Sequence, residues 1–148
     1  MTHSKKAREL FNQGYNCAQA VFCAFSDIMN IDLTTAKKLS SSFGGGMGGL
    51  REVCGAVSGM FMVLGVLYGY DDPADHEAKT VHYARIREAA ERFREKNGTI
   101  ICRELLKGIE HTPDPQKRDA EYYRKRPCPD IVFICAEITD DIIKSMQT

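Results

Sequence analysis

The sequence carries no net charge, no Cys-x-x-Cys pair, almost no alternation of apolar and polar residues, and no apolar segment near its start. Each absence removes a class of protein. Lys plus Arg and Asp plus Glu stand at 20 apiece. Nucleic acids and anionic membranes call for a basic surface, so neither is the expected main partner. The same balance does little to keep copies apart and leaves a homodimer open. Met1 to Gln13 are polar and mixed in charge, unlike a secretory signal, so the expected location is cytoplasmic. Stable disulfides are uncommon there. The scarcity of period-two alternation points to an all-α fold. The missing Cys-x-x-Cys excludes a thioredoxin-type motif and a zinc-ribbon knuckle, and no Cys-x-x-Cys-His is present for covalent haem. No His-Glu-x-x-His occurs, and no Gly-Lys-Ser/Thr follows the glycine run Gly44–Gly49, so neither a zincin helix nor a phosphate loop is present.

What is present is helical periodicity over 148 residues, a length that fits one domain spanning residues 1–148. The expected architecture is a compact bundle of about six to seven helices around a central, apolar, glycine-rich helix. The first helix runs from Thr2 to Gln13 with Ala7, Leu10 and Phe11 inward. Asn16 caps a second helix to about Met29, on which Cys17, Val21, Ala24 and Ile28 share a face. A third spans Leu33 to Ser42, with Leu33, Ala36 and Leu39 inward. The uncharged run from Val53 to Tyr70 reaches the lower limit for crossing a membrane, roughly 17 residues. The remaining helices are amphipathic, as a soluble bundle requires, so the run reads as a buried core helix and no membrane span is expected. Asp72-Pro73 has the chemistry of a helix start, and Asn97-Gly98 that of a stop. Thr99 caps a short helix with Cys102, and Pro127-Cys128-Pro129 introduces a final helix to about Met146 with an isoleucine stripe. Tyr122-Tyr123 with Arg124, Lys125 and Arg126 forms a basic-aromatic cluster that reads as surface, with docking of an acidic partner or a ligand as the alternative.

Six cysteines in a cytoplasmic chain need a reason. Cys17, Cys54, Cys102 and Cys128 all fall at expected helix N-termini. There the helix dipole and free N–H groups favour a thiolate, which is both nucleophile and metal ligand. Cys23 and Cys135 fall inside helices on apolar faces and read as core residues. The histidines His76 and His82 lie on different faces of their helix and read as solvated or core residues, not ligands.

Cys54-Gly55-Ala56-Val57-Ser58-Gly59 resembles the core motif of the C_GCAxxG_C_C redox-active proteins. The resemblance extends through Gly14-Tyr15-Asn16-Cys17-Ala18, the glycine run before Cys54, Cys102-Arg103-Glu104-Leu105-Leu106, and Cys128 before the last helix. It implies the same four cysteines as the helix-end argument, and it assigns no substrate and no electron partner.

Two chemistries fit four such thiols. In the first they run thiol–disulfide exchange with an unknown redox partner or small molecule, with Cys54 as attacker beside its open glycines. In the second Cys17, Cys54, Cys102 and Cys128 hold an iron–sulfur cluster or a structural zinc ion. A helical interaction module whose cysteines only pack is the third possibility.

Overall fold

The computed structural model describes residues 1–109, 111–115 and 117–147, without the side chains of residues 123–125. Its elements in order are α1 (His3–Asn12), α2 (Cys17–Ala24), α3 (Ser26–Met29), α4 (Leu33–Ser41), α5 (Gly44–Met47), α6 (Gly55–Tyr68), α7 (His76–Asn97), α8 (Cys102–Leu105), α9 (Ala120–Lys125) and α10 (Cys128–Met146). The chain is all-α, and among the described residues no strand forms beyond one isolated antiparallel bridge between Val53 and Ile101.

α2 and α6 make the central pair. α2 also touches α1, α4 and α10, while α6 touches α7 and α10. α6 is the apolar glycine-rich helix. It buries Gly55 through Met60 together with Val63 and Leu64. A Cβ at Gly59 would stand 2.8 Å from the Ala18 carbonyl oxygen, and one at Gly55 would stand 3.2 Å from the Ala18 nitrogen. Bare backbone at both positions therefore lets α6 lie directly on α2. No helix among the described residues is long and apolar enough to cross a membrane.

Local chemistry sets most boundaries. Asn16 and Gln19 form a reciprocal capping box at the start of α2, with bonds of 2.9 and 3.1 Å. The expected single helix from Asn16 to Met29 is instead two, broken at Phe25. The break rotates the following turn, so Met29 is buried and Ile28 is exposed. α4 seats itself through Ala36 and Ser40 rather than through Leu33 and Leu39, which are both exposed. The Ser40 hydroxyl satisfies itself in the core by donating to the Ala36 carbonyl at 2.7 Å. α7 starts later than Asp72-Pro73 suggests. Asp72 closes a preceding turn by accepting from the Ala74 N–H at 2.9 Å, and Asp75 caps the helix by accepting from Ala78 at 3.0 Å.

Candidate thiol site

Each of the four helix-end cysteines starts an element. Cys17, Cys102 and Cys128 are the first residues of α2, α8 and α10, and Cys54 is the N-cap of α6. The elements bring all four to one cleft of about 70 Å³, room for a few water molecules. Cys23 and Cys135 do not line it.

Three local devices assemble the cleft. The Val53–Ile101 bridge sets Cys54 beside the start of α8: the Cys54 N–H donates to the Ile100 carbonyl at 2.8 Å, and the Cys102 N–H to the Glu52 carbonyl at 2.6 Å. Gly46, at φ +66°, passes so close that a Cβ there would meet the Cys102 Cβ at 2.6 Å and the Arg51 Cα at 2.7 Å. The glycine run thus packs against Cys102 and Arg51 and lines the same cleft as Cys54. Gly55 performs the matching service for Cys17, whose Cβ lies 3.2 Å from where a Gly55 Cβ would be.

Three arginines also line the cleft. Arg51 donates through Nη1 to the Cys102 sulfur at 3.8 Å and through Nη2 to the Thr112 carbonyl at 2.6 Å. Arg118 reaches back across the chain to the carbonyls of Phe11 and Tyr15, at 2.5 and 2.8 Å, and lies 4.2 Å over the Phe11 ring. Arg126 is only 7% exposed and sits 5.0 Å over the Tyr122 ring. The sequence placed Tyr122 and Arg126 in a surface cluster, but both line the cleft. The side chains of Tyr123, Arg124 and Lys125 lie outside the described residues. Arg51 and Arg118 leave no trace in periodicity or motif spacing, and they are what sequence reading missed.

The thiols differ sharply in acidity. Hydrogen bonding with the neighbouring Cys17 thiol, assisted by Arg126, Arg118 and Arg51, lowers the pKa of Cys128 despite burial. The same coupling, with burial, drives Cys17 well up. Burial pushes Cys54 up to about 12, although the Val57 and Ala56 N–H groups of its helix end favour the thiolate. Burial also raises Cys102, with Arg51 opposing it. Cys54 and Cys102 are 5% and 8% exposed, whereas Cys17 and Cys128 are half-buried. Cys23 and Cys135 are buried, and burial raises both. Among the described residues the cysteines are all free thiols, and no group of three or more Cys, His, Asp or Glu side chains is arranged to hold a metal ion.

A family model described as "Putative redox-active protein (C_GCAxxG_C_C)" matches residues 15–142, a span that contains all four cleft cysteines and all three arginines. The chain belongs to this family. A protein of Archaeoglobus fulgidus described as "Uncharacterized protein" is 28% identical over 160 aligned positions that cover 100% of both chains. No solved structure matches. Within this C_GCAxxG_C_C chain, Cys54-Gly55-Ala56-x-x-Gly59 has a mechanical reading. The cysteine caps α6, and the two glycines admit α2.

Proposed function

We propose that this C_GCAxxG_C_C protein, working as one domain, is a dithiol–disulfide redox protein in which Cys128 attacks and Cys17 resolves. The observation that carries the reading is that Cys17 and Cys128 line one cleft together with Arg51, Arg118 and Arg126, groups that favour a thiolate at Cys128. Cys54 is replaced as attacker for a physical reason. Its helix-end N–H groups stabilise a thiolate less than burial opposes it.

The Cys128 thiolate attacks one sulfur of an oxidised substrate, forms a mixed disulfide, and expels the other sulfur as a thiolate. Cys17 then gives its proton to a departing thiolate and attacks the Cys128 sulfur. The Cys17–Cys128 disulfide forms and the second substrate sulfur leaves as a thiolate, which takes its proton from water. Two protein thiols are oxidised by two electrons, and one substrate disulfide is reduced to two thiols. A reducing compartment, such as the cytoplasm expected from the sequence, would return the pair to thiols. The metal reading has less support, because four thiols around a cleft are not a ligand set without convergence on one point.

The test is anaerobic purification, metal analysis, then peptide mapping after stoichiometric oxidation. A Cys17–Cys128 disulfide in otherwise metal-free protein is the expected result. Mapping that finds no disulfide among the four cysteines, or one equivalent of zinc or iron bound through them, overturns the reading.

A further inference from the structure

The thiol cleft adjoins a broader groove of about 620 Å³ that shares Arg51, Arg118, Arg126 and Tyr122 with it. That volume is in the range of small-molecule sites, roughly 300–1,000 Å³. The cleft itself, at about 70 Å³, admits little more than a sulfur atom and its immediate neighbours. The groove's charge is one-sided. Among the described residues Asp114 is the one carboxylate on its wall, which also carries three guanidinium groups. Arg51 and Arg118 are anchored by neutral carbonyl oxygens, and among the described residues neither has a carboxylate partner. Their positions are fixed while no carboxylate cancels their charge, which suits electrostatic attraction of a negatively charged group.

We infer that the groove takes small, carboxylate-bearing disulfides, holding their negative groups on the arginines and presenting the S–S bond to Cys128. The inference rests on the exchange reading above and adds the substrate class. The reaction is the exchange already written: the bound disulfide gains two electrons and leaves as two anionic thiols, and Cys17 and Cys128 lose two electrons and become joined.

The test compares reduced full-length protein with three probes: glutathione disulfide (anionic), bis(2-hydroxyethyl) disulfide (neutral) and cystamine (cationic). Each rate is divided by that of dithiothreitol with the same probe at the same pH, which removes intrinsic reactivity. The expected result is an anionic-to-cationic ratio of at least about tenfold, shrinking as salt screens the groove. Arg51→Gln reduces the ratio and Arg51→Lys restores part of it. Arg94→Gln leaves the ratio unchanged, since Arg94 pairs with Glu91 on α7 and does not line the groove. Equal normalised rates for the three probes overturn the substrate class while leaving the exchange reading intact. Failure of every probe to react overturns both.

Discussion

Four cysteines stand at the starts of their helices and do not share one acidity. A helix end offers each sulfur N–H groups and the positive pole of the dipole, an effect of about 0.3–1 kcal/mol at exposed sites. Burial in an apolar wall opposes the thiolate by more, and Cys54 takes that side. Cys128 takes the other side because a neighbouring thiol and three guanidiniums act on the same sulfur. The difference is open to titration. Alkylation of Cys128 should reach half its maximal rate below the ordinary thiol value of 9.0, and Cys54 should remain unlabelled in that range. Cys17→Ala removes the donor and moves the Cys128 midpoint up. Cys17→Ser keeps a donor and holds the midpoint near the parent value. Site-resolved labelling by mass spectrometry across pH measures both.

A helix cap that bonds its own first turn is easier to read from sequence than the face a helix buries. Asn16 was legible as a cap, because capping is a contact with residues a few places along. Leu33 and Leu39 have the spacing of an inner face, yet α4 shows the core only Ala36 and Ser40. Which side of a short helix is covered depends on neighbours that its own sequence does not encode. The glycines of α6 make the same point at finer grain. Two pairs are spaced alike, but only Gly55 and Gly59 meet another backbone. Gly65 has nothing within 4 Å of an added Cβ, and Gly69 lies past the helix end. Gly59→Ala should therefore destabilise by about 1–3 kcal/mol through overpacking against Ala18 and Val21. Gly65→Ala should stabilise by about 0.5–1 kcal/mol through helix propensity. Thermal melts read opposite shifts of about 2–4 °C per kcal/mol. Shifts of the same sign would contradict this account of α6.

For the whole molecule, the all-α bundle and the buried uncharged helix could be anticipated because both depend on pattern and composition. The cleft could not be fully anticipated. Arg118 finds Phe11 and Tyr15 from more than a hundred positions away, and the Val53–Ile101 bridge joins segments with no shared periodicity. A third long-range tie acts on global stability. His3 on α1 bonds Asp140 of α10 at 2.8 Å and Asp27 of α3 at 3.0 Å, and stacks on Phe25. Burial disfavours its charge, but the two carboxylates outweigh burial and raise its pKa above 6.5. The folded state then holds the proton more tightly than the unfolded chain does. The stabilisation is complete below about pH 6.5, and it is lost as pH rises through the folded value. His82 and His111 shift downward, so their contributions have the opposite sign. The contribution of His3 is the difference between parent and His3→Gln in urea titrations. That difference should be larger at pH 6 than at pH 8, and a gap independent of pH would refute it.

The bridge between Val53 and Ile101 also bears on the order of events during folding. Contacts between α1 and α2 close short loops, whereas that bridge and the reach of Arg118 close long ones, and long loops close late. The expected order is helices first and shelter of the thiols last, when the distant segments arrive. A half-folded chain therefore presents Cys54 to any oxidant in its surroundings, although the finished molecule hides it.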